Sequence, residues 1–583
     1  MTTLRVWAPG KDRVEVEVGT GSESVRTAMT GTPDGWWTVD LPDAGPGTDY
    51  AFRLDGGPAR PDPRSAWQPR GVDAPSRLVD HSAFRWTDQL WRGVPLPGAV
   101  LYEMHVGTFT PEGTFDAAID KLDALVELGV DAVELLPCNA YAGRWGWGYD
   151  GVYWFAVHEP YGGPEGLKRF VDAAHARGLG VVIDAVYNHL GPAGNYLPEF
   201  GPYLTDAHHT PWGPAINLDM PGSDEVRRFL LDCALSWLRD YHVDGLRLDA
   251  VHAFVDERAT HLLEEMAVEV EALGAQLGKP LWLVAESDLN DPRLITSREA
   301  GGYGLDGQWA DDVHHALHAL LTGERAGYYG DFGSLPTLAK ALTGVFVHDG
   351  TWSSFRGRTH GRPVPPTLPG HRFVTYLQDH DQIGNRAVGD RISATLSDGL
   401  LKAGAALLLT SPYTPMLWMG EEWGARTPWM FFSDHAGELG EAVRQGRRAE
   451  FASHGWDTED VPDPQAESTY RASQLDWEER EGEREQALLA WTRDLLALRK
   501  ARLDLSDGRR DKVRVTYDED ARWVVVQRSG LAVAVNLAPD RQTVPLPGPA
   551  AGVLLTSEPT ESVDGTSVTL DGESVAVVEL GAP

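Results

Sequence analysis

Cysteine is nearly absent: Cys138 and Cys233 are the only two in 583 residues. That excludes a disulfide framework, and two thiols so far apart offer no metal-ligand spacing. Cys138 follows an apolar run and Cys233 sits in an amphipathic helical pattern, so both read as buried thiols. Basic charge is scarce as well. Lys and Arg total 51 against 86 Asp and Glu, a net charge of -35, where a phosphate backbone demands a basic face. Nucleic acid is therefore not an expected partner, and the charge reads as an acidic solvated surface. No apolar run reaches the ~18 residues of a membrane span. The opening MTTLRVWAPG lacks a charged segment followed by an apolar one, so no signal peptide is expected. These absences predict a reduced, cytoplasmic protein with no membrane partner.

What is present is length, aromatics and a changing rhythm. The length exceeds one ordinary domain. The 21 Trp and 17 Tyr offer flat amphipathic rings that suit sugar faces, although aromatic cores use them equally. Residues 1–92 hold short alternating runs such as Val14-Glu15-Val16-Glu17-Val18 between Gly, Pro and Asp, which predicts an N-terminal β-sandwich. A Pro/Gly linker, 93–98, follows. Over 93–505 short apolar strands alternate with helical patterns. Strands are expected at 99–104, 132–136, 180–185, 245–248, 281–285, 305–309, 373–377 and 416–418, with helices at 115–128, 164–177, 225–241 and 261–273 among them. Repeated βα units imply parallel pairing, and eight of them predict an α/β fold, a (β/α)8 TIM barrel with loop insertions. A doubly wound open sheet is the alternative. Alternation returns over 506–583, predicting a C-terminal β-sandwich.

Acidic and polar residues cluster where strands end, which is the catalytic face of such a barrel. Val182-Ile183-Asp184-Ala185-Val186-Tyr187-Asn188-His189 ends the third strand and Arg247-Leu248-Asp249 the fourth. Glu286 ends the fifth, and His380-Asp381 follows the seventh. Arg247 and Asp249 are two apart, so their side chains share one face. A cation beside a carboxylate favours the ionised form, which suits Asp249 to nucleophilic attack on an anomeric carbon. Glu286 follows apolar residues and lies near other acids, conditions that hold a proton on a general acid. Asp381 supplies a third carboxylate. Taken singly, Arg247 and Asp249 could be a structural ion pair, Glu286 a helix-terminal charge, and His189 and His380 satisfied structural histidines. Asp184, His189, Asp249, Glu286, His380 and Asp381 together could even hold a metal. Four strand ends in order, each with its acid, favour sugar chemistry instead.

The runs Asp184-x-Val186-x-Asn188-His189, Gly245-x-Arg247-x-Asp249-Ala250, the stretch around Glu286, and His380-Asp381 resemble the four signature regions of the α-amylase superfamily. The resemblance implies a retaining glycoside hydrolase with Asp249 as nucleophile, Glu286 as acid/base and Asp381 stabilising the transition state. It implies that Asn188, His189, Arg247 and His380 bind the sugar or position the nucleophile. Trp147-Gly148-Tyr149-Asp150 resembles the second-strand loop whose tyrosine stacks under that sugar. Further runs, LYEMHVGTFTPEGTF from Leu101, YNHLGPAGNYLPEFGP from Tyr187 and MGEEWG from Met419, resemble the maltooligosyltrehalose trehalohydrolase family. That family cuts the α-1,4 bond next to a terminal trehalose. The small-molecule substrate implied is a maltooligosyl trehalose, with His252, Gln382, Asn385 and Trp212 expected around the trehalose. No metal or organic cofactor is expected. A glycogen branching enzyme, a debranching enzyme and a barrel that binds without catalysis are the competing readings.

Overall fold

The computed structural model describes residues 2–19, 24–453, 461–559 and 562–581. The outermost residues of the expected domain division, Met1 and Pro583, lie outside them. At its centre is a closed parallel barrel of eight strands in sequence order. They are β1 (Leu101–Met104), β2 (Ala132–Leu135), β3 (Gly180–Ala185), β4 (Gly245–Leu248), β5 (Trp282–Ala285), β6 (Gly307–Trp309), β7 (Phe373–Tyr376) and β8 (Thr414–Trp418). β8 pairs with β1 to close it, which rules out the open sheet. Every residue of β3, Gly-Val-Val-Ile-Asp-Ala, is buried, the continuous run of a strand covered on both faces. Leu101, Val182, Trp282, Val374 and Met416 fill the interior, while Leu246 and Leu248 turn outward into the core under the helices.

The helical ring includes α1 (Leu122–Leu128), α2 (Gly163–Ala176), α3 (Ser223–Asp240), α4 (Leu262–Leu277), α5 (Asp311–Thr322), α6 (Asp398–Leu409) and α7 (Glu483–Ala501). Two expectations are corrected here. The single helix expected at 115–128 is broken: a short helix, Phe115–Ile119, ends at Asp120 before α1 begins, yet Phe115, Ala118, Leu122 and Leu125 share one buried face. The last barrel strand starts at Thr414 rather than at residue 416. Pro415 inside it lacks an N–H and reads as a strand breaker.

Ahead of the barrel, Thr2–Trp7, Trp36–Leu41 and Thr30–Gly31 form one antiparallel sheet. Val25–Ala28, Val14–Val18, Asp49–Leu54 and Ala59–Arg60 form a second. Arg60 reaches Glu199 and Arg64 reaches Asp232 on α3, and Trp7 meets Tyr203 edge-on at 5.3 Å. After the barrel, a five-stranded sheet and a three-stranded one enclose Val525, Ala532, Ala534, Val568 and Ala576. The strand Leu531–Asn536 is buried along its whole length, because its other face packs into the main core through Val533 and Val535.

A charged clasp holds the segment before β1 under the barrel. His175 of α2 lies between Asp88 and Asp244, 2.9 Å from each, and Trp91 stacks on its ring at 4.5 Å. Lys279 and Trp91 also bond Asp244, and His242 bonds Asp88. Burial opposes charge on His175, but the two carboxylates outweigh it and raise its pKa. Burial likewise opposes charge on Asp88 and Asp244, but His175 overrides it at both and holds them low. The imidazolium therefore adds stability below the unfolded value of about 6.5 and loses it as pH rises through the raised folded value. The carboxylates add stability above about 3.9 and lose it as pH falls through their depressed values. His175→Ala removes the group that both buried carboxylates share, leaving Asp244 to Lys279 and Trp91 and Asp88 to His242, and is expected to cost about 3 kcal/mol. Scanning calorimetry from pH 4 to 9 should show the largest drop in Tm near pH 5; an equal drop at every pH would contradict the clasp.

Candidate active site

The cleft at the C-terminal ends of the barrel strands encloses about 480 Å³. Every catalytic and sugar-binding residue expected above lines it except Asn188, which sits directly behind Asp249; Asp184 also lies behind the lining, against Arg247. Arg247 rises from β4, 3 % exposed, with its guanidinium over the face of Trp309 at 4.5 Å. One nitrogen, Nη1, lies 2.6 Å from Asp249 Oδ1 and 2.7 Å from Asp184 Oδ2; the other, Nη2, is 3.7 Å from Glu286 Oε2. Asn188 donates to Asp249 Oδ2 at 2.7 Å and to its backbone carbonyl at 2.9 Å. The Asp249 carboxylate is thus fixed from two sides.

The residue after Asp249 turns left-handed. Ala250 has φ +43°, a costly conformation for a side chain larger than glycine. The turn aims the Ala250 N–H at Glu286 Oε2, 2.7 Å away. Burial pushes Glu286 up to about 8; Arg247 pulls against this, while Asp249 and Asp311 add to it. Glu286 therefore holds a proton at neutral pH. Burial also lifts Asp184 to about 6 against the pull of Arg247.

Tyr149 reaches the cleft on a turn that admits only glycine at 148: φ is +102°, and a Cβ there would lie 2.3 Å from the Pro137 carbonyl oxygen. Its hydroxyl donates to Asp184 Oδ2 at 2.6 Å and lies 2.8 Å from His380 Nε2, with the two rings stacked at 5.4 Å. His380 in turn places Nδ1 2.5 Å from Glu103 Oε1. Burial opposes its charge, but Glu103 raises His380 to about 10, so it is a cation held among acids. Burial lowers His189, whose Nε2 bonds the Tyr149 carbonyl at 3.0 Å.

Asp381 lies in the first turn of a short helix, His380–Gly384, capped by Asp379. Asp379 Oδ1 accepts from the Asp381 and Gln382 backbone N–H groups, both at 3.0 Å. Asn385 donates to Asp381 Oδ1 at 2.7 Å. The Gln382 amide nitrogen faces Asp379, which leaves only its oxygen for a ligand. His252 is exposed and accepts from the Asp288 N–H at 3.4 Å. Trp212 occupies the turn between strands Leu204–Thr210 and Gly213–Ile216, half exposed and stacked on His189 at 4.7 Å.

Sequence reasoning missed Asp311, Tyr376, Asp379, Phe431 and Phe432, all of which line the cleft. It also missed a hairpin, Thr351–Ser353 with Arg358–His360, whose turn places Arg356 against Asp288 and the exposed Phe355 edge-on to Tyr328 at 6.0 Å. Asp379 stood next to a quoted motif; the others carried no local signal. Among the described residues, no group of three His, Cys, Asp or Glu is arranged to hold a metal ion, and no helix is long and apolar enough to cross a membrane. Both cysteines are free and buried.

Comparison with known proteins agrees with this geometry. The family model described as alpha amylase, catalytic domain, matches residues 75–202, and a domain of unknown function, DUF3459, matches 508–577. A malto-oligosyltrehalose trehalohydrolase of Arthrobacter ramosus is 55% identical over 99% of both chains. One from Mycobacterium tuberculosis is 51% identical over the whole of both. The crystal structure of a putative alpha amylase from Salmonella typhimurium superposes with a TM-score of 0.90 at 39% identity, covering 99% of this chain and 97% of that one. With likeness of this degree running from end to end, the chain belongs to the malto-oligosyltrehalose trehalohydrolase family of α-amylase-type glycoside hydrolases.

Proposed function

We propose that the protein hydrolyses the α-1,4 bond next to the terminal trehalose of a maltooligosyl trehalose, with retention of configuration, and releases free trehalose. The observation that carries the chemistry is the one guanidinium, Arg247, that touches both Asp249 and Glu286. A nucleophile and a proton donor on adjacent strands suit double displacement. Asp249 attacks the anomeric carbon as the bond to the trehalose oxygen breaks, and Glu286 gives that oxygen its proton. Water then attacks the glycosyl ester, returns a proton to Glu286 and frees Asp249. Asp381, His189 and His380 hold the hydroxyls of the reacting ring, and Tyr149 packs beneath it. No step calls for a metal or organic cofactor. The reaction belongs in the cytoplasm, where two buried thiols rest reduced.

The superfamily shares the catalytic side of the cut, so selectivity must arise on the leaving side. There His252, Trp212, Gln382 and Asn385 stand around the cleft, with Asp288, Arg356 and Phe355 beyond. Trehalose is bent at its 1,1-linkage, and a pocket shaped for it leaves a straight maltosyl end with unpaired polar groups. Each costs ~1–3 kcal/mol, so two mismatches give a preference of roughly 30-fold or more. Product chromatography and kcat/KM on maltotriosyl trehalose beside maltopentaose test this. Equal values would refute the trehalose assignment, and longer branched glucans in place of free trehalose would favour glucan transfer.

A further inference from the structure

Asp311 belongs to no motif, yet its carboxylate opens onto the same cleft as Glu286, Trp309 and His252. It is the first residue of α5, one residue beyond the end of β6. β6 lies between β5, which leads to Glu286, and β7, which leads to Asp381. The neighbouring acid is committed elsewhere, to the backbone that follows Phe346. Asp312 Oδ2 accepts from the backbone N–H groups of Val347 and His348, at 2.7 and 2.8 Å, and from Asn290 at 3.0 Å. Asp311 instead accepts the hydroxyl proton of Tyr376, at the end of β7. That bond fixes the carboxylate at the end of β6, beside the strand that leads to Glu286.

We propose that Asp311 is a positioning residue for Glu286: a carboxylate held in the cleft by Tyr376 that keeps the proton on Glu286 until the leaving oxygen takes it. The inference rests on reading Glu286 as the proton donor. The groups facing Glu286 divide by sign. From β4 and the turn after it, Arg247 and the Ala250 N–H favour its ionised form, and Asp249 disfavours it. From α5, Asp311 disfavours it as well. Burial raises the pKa of Asp311 itself; His315, one turn along α5, and the Tyr376 hydroxyl pull it back toward the charged form, while Asp288 and Asp312 oppose them. The two acids that act on Glu286 differ in one respect. When Asp249 becomes a glycosyl ester it loses its negative charge, and Asp311 remains as the carboxylate acting on Glu286. As water attacks that ester, a proton must move from water to Glu286, and a neighbouring negative charge makes Glu286 the stronger base for it.

Asp311→Asn keeps the shape and still accepts from Tyr376, so it removes charge alone. The alkaline limb of kcat/KM is expected to move acidward by about one pH unit, and the loss against wild type to be about tenfold larger at pH 9 than at pH 6. Tyr376→Phe, which frees the carboxylate without removing it, should give a smaller shift in the same direction. Glu286→Gln in the same series separates the two readings. If Glu286→Gln retains the wild-type alkaline limb, the proton-donor reading fails. If Glu286→Gln abolishes the limb while Asp311→Asn and Tyr376→Phe leave it at the wild-type pH, the role of Asp311 is overturned and that of Glu286 stands.

Discussion

Asp249→Asn is expected to lower kcat by about 10^4 or more with the fold intact. Asparagine fills the same space and its amide oxygen can still accept from Arg247, at the expense of the bond from Asn188, so an intact thermal transition shows that the loss reports chemistry rather than collapse. What disappears is the anion held at 2.6 Å by Arg247 and at 2.7 Å by Asn188. A neutral amide cannot form the glycosyl ester, and Arg247 keeps its second partner, Asp184. Steady-state kinetics on maltotriosyl trehalose, with the thermal transition as a control, measures the effect. Mass spectrometry of peptides quenched during turnover should find the glycosyl group on Asp249 in the wild type. A variant with ordinary turnover would remove Asp249 from the mechanism. A wild type that binds the substrate and never turns it over would support the reading of a barrel that binds without catalysis.

The second large effect is expected at Glu286. Glu286→Gln removes the transferable proton and should cost roughly 10^2–10^4 in kcat on natural substrate. The loss should be much smaller on an aryl glycoside, whose leaving group needs no proton. The active form of Glu286 is protonated, and its pKa stands at about 8. Wild-type kcat/KM should therefore fall about tenfold per pH unit above that value, and the residual activity of the variant should lack this limb. A stability effect follows with the opposite sign to the clasp carboxylates. A carboxyl whose folded pKa is raised binds more protons native than unfolded, so it draws down stability as pH climbs from about 4.3 toward 8. Glu286→Gln should be the more heat-resistant protein at pH 8 and the poorer catalyst. A variant less stable than wild type there would contradict the burial that raises Glu286.

How much of this was legible in sequence depends on the distance over which each contact acts. The extents of β3 and β4 were read directly from Gly180–Ala185 and Gly245–Leu248, because apolar runs and period-two alternation are local. Arg247 and Asp249 were legible for the same reason, being two residues apart on one strand. The left-handed Ala250 was not, since nothing local to an alanine announces φ +43°. Asp311 meets Tyr376 across 65 residues and Arg356 meets Asp288 across 68, and each pair needs the barrel to bring it together. The clasp spans 87 residues from Asp88 to His175 and left only an isolated histidine in the pattern of α2. Helix breaks such as the one at Asp120 preserve the apolar face, so periodicity passes over them.

Barrel closure has a consequence for biosynthesis. β1 pairs with β2 on one edge and with β8 on the other, and β8 leaves the ribosome ~300 residues after β1. At about 5–20 residues per second that interval lasts roughly 15 s to a minute. Throughout it the nascent β1 keeps one unpaired edge, the kind of template on which strands aggregate. β1 is only four residues long and carries Glu103 in its middle, which makes it a poor template. Glu103 is also the acid that later pairs with His380, itself translated ~280 residues afterwards. The charge that protects the waiting edge is thus the charge that finally seats His380, and the cleft is completed in one late step, when the ring of strands shuts.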